Sequence, residues 1–366
     1  MVSIGFVYFC SVIKNNYELQ NDGTMKNILS KRTFIVLPLF LFSLHPLWGQ
    51  KSNFKNDICI PGKLYMLSDI RNDVFVEALI KRWRPYNDFV RFSGDCVYSR
   101  KLNRVASVDT PVDGSNMKIE LVNSDEFEII KEKAISICVG KKGIGTQEVT
   151  VQILGDSFVN GAFFRDALLS KNYIPGIKLV GLRNIKNEEG QYDEGRGGWT
   201  VKKYFEIPKG EMTSYHGYMQ PVGEYRYWGS CEFWKNCYKV INGELTDTEI
   251  VYNCGRYDQC ITKFDKETGY LAAPKKNDLM YDNARGSYMV YTGKKWKNVE
   301  VDERKWAFNY RKYLDMWNLD APKFFAQMLG LNDYRDSLTA DYRVWNEKIA
   351  EMKETYYKAV PDSKFI

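Results

Sequence analysis

Histidine is nearly missing from this chain: 366 residues hold two, His45 and His216. Cysteine is present but never as C-x-x-C. With no histidine to help, that spacing argues against a zinc site. Lysine and arginine outnumber aspartate and glutamate by 52 to 46, yet the excess is spread along the chain instead of gathered in a block. That argues against a nucleic-acid footprint, and no nucleic-acid partner is expected. The apolar run Thr33–Trp48 is short for a membrane helix and is broken by Pro38, His45 and Pro46.

What is present describes an exported globular protein. Hydrophobic residues at 44% and charged residues at 27% are ordinary for a folded domain. The length allows two domains, or one with large insertions. Met25-Lys26, Lys31 and Arg32 stand before the apolar run, and small Gly49 follows it before Gln50. This is the layout of a secretory signal peptide. The protein is therefore expected to be secreted or periplasmic, without stable membrane insertion once the signal is cleaved. Residues 1–24 precede the signal as an extension. No cysteine directly follows the run, so no lipid anchor is indicated there. Export makes disulfides permissible. Cys59, Cys96, Cys138, Cys231, Cys237, Cys254 and Cys260 are odd in number, so at least one stays unpaired. Cys231/Cys237 and Cys254/Cys260 share a spacing and are expected to staple one insertion, with a zinc site as the alternative.

Composition and pattern divide the chain into residues 1–49 (extension and signal), 50–145 and 146–366. The middle segment has short runs with turn residues between them: Lys63–Leu67, Val105–Val108, Met117–Val122 and Ala134–Val139, with Asp113-Gly114-Ser115 as a turn. It reads as a small β-sandwich domain, with Lys141–Gly145 as its linker. From Glu148 strand and helix alternate. Val149–Leu154 and Ile177–Leu182 read as strands, Val159–Lys171 as a helix, and Trp199–Phe205 as the start of another. An irregular insertion over 208–312, rich in Tyr, Trp, Gly and Asn, comes next. Lys323–Leu329 then resumes as a strand and Ala340–Tyr357 as a helix, and Ser363–Ile366 opens a further strand. Aromatics make up 15% of the chain, which hints at a surface that stacks on rings. Within the insertion, packing of Tyr225, Tyr227, Trp228, Phe233, Trp234, Trp296 and Trp306 on one another is favoured over sugar stacking.

Three blocks carry chemistry. Gly155-Asp156-Ser157 ends an apolar strand and hands over to a helix, which exposes Ser157 beside unpaired backbone amides, as a nucleophile needs. Glu194-Gly-Arg-Gly-Gly-Trp-Thr200 lets amides approach a ligand with no side chain in the way. Gly330-Leu331-Asn332-Asp333 presents an amide side chain just after a strand. Each has a plainer reading as a strand-end turn, a tight turn or helix cap, and an Asx-turn. If the strands lie parallel in one sheet, their carboxyl ends share an edge and the blocks converge.

In this order, Gly155-Asp156-Ser157 with Gly161, the glycine block and Gly-x-Asn-Asp resemble the SGNH (GDSL) hydrolase family. The Glu-Gly-x-x-Gly-Trp form is similar to that of its carbohydrate-esterase branches. The resemblance covers about 148–366. It implies a three-layer α/β/α sandwich with a parallel, flavodoxin-like sheet after the β-sandwich domain. It also implies a serine ester hydrolase without metal or cofactor, whose substrate class is an acylated, chiefly acetylated, carbohydrate. By resemblance Ser157 is the nucleophile. Its own N–H, the Gly198 N–H and the Asn332 side-chain amide form the oxyanion hole, and Asp156 steadies the turn. The family's Asp-x-x-His block, which supplies base and orienting acid, does not occur in the chain. His216 follows Thr213 at that spacing and reads as a surface or core residue before a substitute base. The expectation is a truncated chain that is weak or inactive, with a non-catalytic glycan binder as the alternative. A lipase or thioesterase would need an apolar acyl channel, which the polar insertion disfavours.

Overall fold

The computed structural model describes residues 57–366 except 59, 61, 69, 77–78, 82–87, 96, 101–104, 124–125, 141–147, 171–175, 185–190, 212 and 335–341. The segment expected as a signal, with His45, the expected linker at 141–145, and Cys59 and Cys96 lie outside the described residues. The chain divides into two units, Met1–Lys141 and Lys142–Ile366.

The first unit is built of strands β1 (Asp57–Ile58), β2 (Lys63–Leu67), β3 (Asn72–Phe75), β4 (Ile80–Lys81), β5 (Asp88–Gly94), β6 (Val97–Arg100), β7 (Val105–Val108), β8 (Asn116–Asn123) and β9 (Ile129–Gly140). One sheet runs β2-β9-β8-β5 and a second β3-β7-β6, while β1 pairs with β4. Among the described strands of this unit only β2–β9 is a parallel pair. Two-residue alternation sets which face is dry. In β8, Met117, Ile119 and Leu121 are fully buried, while Lys118 and Glu120 pair at 2.8 Å on the other face. Leu64, Ile119 and Ile137 from the first sheet share one core with Val74, Ala106 and Val108 from the second. The unit thus has the character of a β-sandwich.

The second unit opens with β10 (Val149–Gly155), α1 (Ser157–Asn160), α2 (Phe163–Ser170), β11 (Ile177–Leu179) and β12 (Glu194–Gly195). The insertion follows: β13 (Met219–Pro221), β14 (Arg226–Ser230), α3 (Cys231–Ile241), α4 (Thr248–Cys254), α5 (Asp258–Ile261), β15 (Asp278–Asp282), β16 (Ser287–Tyr291), β17 (Trp296–Val299) and β18 (Trp306–Phe308). Then come α6 (Tyr310–Trp317), β19 (Phe324–Met328), α7 (Leu331–Tyr334), α8 (Tyr342–Ala359) and β20 (Lys364–Phe365).

The described residues do not form the expected three-layer α/β/α fold on a flavodoxin-like parallel sheet. Strand outweighs helix, and the strands are distributed over several mixed and antiparallel sheets. Parallel pairing is confined to a patch, β11-β10-β19-β20 with β12 beside β10, in which β11, β12 and β20 have two or three residues each. A doubly wound sheet needs long strands with a covering helix at each crossover. Between β12 and β19 the chain instead builds a mixed sheet, β14-β15-β16-β17, with its own helices. The helix expected over Val159–Lys171 is broken at Ala162, whose φ is +63°, and Trp199–Phe205 yields one 3₁₀ turn, Lys202–Phe205.

The insertion holds together because its rings pack. Trp234 stacks on Phe264 at 4.1 Å, and Tyr218 on Tyr313 at 4.3 Å. Both clusters join one core with Leu154 and Phe325 of the parallel patch. Burying a ring is worth roughly 4–6 kcal/mol of transfer free energy, which favours a second dry core over a solvated loop. Cys231, Cys237, Cys254 and Cys260, expected as staples, are buried free thiols in this core. No helix among the described residues is long and apolar enough to cross a membrane.

Candidate functional site

β10 is a seven-residue strand that ends at Gly155. A side chain there would run into Val159 and the Met328 carbonyl, so the strand can meet α1 and β19 this closely only as glycine. Gly155 lies opposite Gly195 of β12 and Met328 of β19. Three chain segments therefore leave the patch side by side, at one edge. Asp156 caps α1, accepting the Phe158 N–H at 3.1 Å, and Ser157 follows, exposed. Burial raises the Asp156 carboxyl above its ordinary pKa, and the neighbouring Asp333 carboxylate adds to the shift.

From β12 the chain turns through Gly197 and Gly198, closed by the Trp199 N–H on the Arg196 carbonyl at 3.3 Å. Gly198 is exposed, with φ +71° and open space where a Cβ would be. Trp199 is buried beneath the turn, edge-on to Tyr204 at 4.9 Å. From β19 the chain enters α7, where Asn332 Nδ2 donates to the Trp199 carbonyl at 3.0 Å and Asp333 accepts the Val201 N–H at 3.0 Å. One Nδ2 hydrogen of Asn332 is thereby engaged, and among the described residues the other has no partner. Ser157, Gly198 and Asn332 stand on the three segments that share the edge, and Asn332 is bonded directly to the glycine turn.

His216 is not at that edge. It is 1% exposed and sits among Trp199, Tyr204 and Tyr218. Nδ1 accepts the Tyr218 N–H at 3.2 Å, so Nε2 carries the proton and donates to the Glu206 carbonyl at 2.9 Å. Burial, with Arg196 nearby, lowers its pKa to about 3. Among the described residues no side chain hydrogen-bonds the Ser157 hydroxyl. The titration of His216 has a consequence for stability. Below pH ~6.5 the unfolded chain protonates this ring and the folded one does not until about 3. Stability from His216 is therefore complete above pH ~6.5 and falls by about 1.4 kcal/mol per unit as the pH drops. In urea titrations at stepped pH, His216→Asn is expected to have an acid limb shallower by that slope. An unchanged limb would refute the assignment.

Beneath the edge lies a polar network that sequence reading did not single out. Glu194 and Arg196 form an ion pair at 2.8 Å, 0% and 1% exposed. Glu194 Oε1 also accepts the Leu182 N–H and the Tyr313 hydroxyl, each at 2.6 Å. Arg196 donates to the Tyr215 carbonyl at 2.6 Å and its guanidinium lies over the Trp199 ring at 5.3 Å. The Tyr204 hydroxyl reaches the Gly155 and Glu194 carbonyls at 2.8 and 2.7 Å. Arg183 bonds Ser214 at 2.7 Å and Asn160 at 3.2 Å. Asp193, buried beside them, has its pKa raised to about 6 by desolvation. The available signal was a glutamate and an arginine two apart inside a glycine block. Among the described residues no cluster could hold a metal ion.

No family model matches the chain, and no curated protein matches it. Among solved structures, one from Bacteroides fragilis, provisionally described as an alpha-galactosidase, is 12% identical over 34% of this chain and 28% of that one, with a TM-score of 0.19. This chain thus spans under a third of that protein's length, and the likeness is too slight to bear on fold or activity.

Proposed function

We propose that this chain carries a serine ester-hydrolase site of SGNH type, acting on acylated carbohydrates, with Ser157 as acyl acceptor. The observation that supports it is the sharing of one edge by exposed Ser157, the open left-handed Gly198, and Asn332 bonded to the Gly198–Trp199 turn. Ser157 Oγ attacks the ester carbonyl carbon and its proton passes to a base. The carbonyl oxygen becomes an oxyanion facing the Ser157 N–H, the Gly198 N–H and the second Asn332 Nδ2 hydrogen. The alcohol departs, and water releases the acyl group from Ser157. Among the described residues no base is placed for this proton, since His216 is held neutral in the core by two backbone partners. An oxyanion site without its base retains about 10³–10⁴-fold over water, so hydrolysis by this chain is expected to be slow.

Hydrolysis of 4-nitrophenyl acetate tests the reading. Asn332→Ala is expected to lower the protein-dependent rate by about 10², the usual worth of one oxyanion donor. Protein-dependent hydrolysis that is indifferent to this change would sink the assignment. The unpartnered Ser157 hydroxyl favours one second reading, a glycan-binding protein that has lost turnover. It predicts saccharide binding with no hydrolysis above background.

A further inference from the structure

One side chain of the insertion meets the glycine turn at Gly197. Tyr252, on α4, is half-buried, and its hydroxyl abuts Gly197 so closely that any Cβ at that position would run into it. Adjacent glycines thus serve different ends: Gly197 makes room for Tyr252, while Gly198 has the left-handed φ and faces open space. The ring is held in place. The Arg256 guanidinium lies 5.5 Å from its centroid, and Arg256 bonds both the carbonyl and the side-chain oxygen of Asn160, three residues after Ser157. Arg183 donates to the Tyr252 carbonyl at 3.2 Å. Among the described residues the Tyr252 hydroxyl itself has no hydrogen-bond partner. A phenol both donates and accepts, so this one is available to whatever lies over the turn. An acetyl group offers it nothing beyond the carbonyl oxygen, which the oxyanion donors take. A sugar offers hydroxyls and an apolar ring face, the two features a tyrosine side chain matches.

We propose that Tyr252 is a substrate-binding residue that hydrogen-bonds a hydroxyl of the sugar next to the ester, so that the insertion supplies the saccharide side of the site. The inference rests on the reading of Ser157 as acyl acceptor and deepens it. Calorimetry on the full chain with Ser157→Ala, which cannot be acylated, reads it without turnover. The probes are partially O-acetylated xylo- and manno-oligosaccharides. Adding Tyr252→Phe is expected to weaken binding of whichever probe binds by about tenfold, the worth of one hydrogen bond. The melting temperature should stay unchanged, and Tyr252→Ala should weaken binding further. Equal affinity with and without the hydroxyl, or no binding of either probe to the Ser157→Ala protein, overturns the proposal. Tyr252-dependent binding in a chain that hydrolyses nothing would retain the sugar contact and reject the esterase.

Discussion

Replacing Ser157 with alanine is expected to remove all protein-dependent hydrolysis of 4-nitrophenyl acetate, while imidazole added to the unaltered chain is expected to raise it. The two outcomes have one cause. Ser157 is exposed just past β10, whose neighbours β12 and β19 lead into the glycine turn and Asn332, but nothing among the described residues takes its proton. A serine hydroxyl is hardly ionised at neutral pH, so the rate waits on a base. A positioned general base contributes about 10²–10⁴, and a freely diffusing imidazole should recover about tenfold. The Ser157→Ala protein in the same imidazole solution gives the background to subtract. An imidazole effect no larger in the unaltered chain than in Ser157→Ala would be ordinary solution catalysis and would count against the site. His216→Asn should leave the imidazole effect in place, because that ring is buried away from the edge.

The second large effect is on stability. Arg196→Met leaves the Glu194 carboxylate in the interior without its cation, and about 3–5 kcal/mol of unfolding free energy is expected to be lost. The Leu182 N–H and Tyr313 hydroxyl still reach Glu194, so the lower half of that range is favoured. Glu194→Gln combined with Arg196→Met removes both charges and should recover more than half of the loss. Urea midpoints of the second unit's transition measure both variants. A loss under about 1 kcal/mol for Arg196→Met would mean that the pair is solvated and the network beneath the glycine turn is not a rigid support.

How far the site could be read from sequence differs block by block. Gly155-Asp156-Ser157 was legible because an apolar run before a small-residue turn sets strand, cap and exposure within a few residues. Gly197 and Gly198 were legible as a place without side chains, but not as two glycines with different tasks. That distinction depends on Tyr252, more than fifty positions along the chain. Asn332 was legible as an amide after a strand, whereas its bond to the Trp199 carbonyl depends on how β19 pairs with β10. In sequence His216 is disfavoured as a substitute base by the threonine three positions before it and by its place in the insertion. What excludes it is its burial against Glu206 and Tyr218. The parallel fold expected from the sequence shrinks to a patch, because alternating strand and helix signals say nothing about how long a sheet grows. In this chain the run between β12 and β19 has enough aromatic surface to form a mixed sheet and a core of its own.

By itself the sequence determined what local chemistry determines: strand β10 and its turn, the two-residue alternation of β8, a stretch without side chains at Gly197-Gly198 and the scarcity of histidine. Only the tertiary structure decided the rest. It brought Gly155, Gly195 and Met328 level, sank Glu194 and Arg196 under the turn, and set Tyr252 against Gly197. The physical reason is range. Backbone preference and capping act over a few residues, while pairing register, desolvation and ring packing are settled between segments tens of positions apart or more, where the pattern of neighbours along the chain has no say.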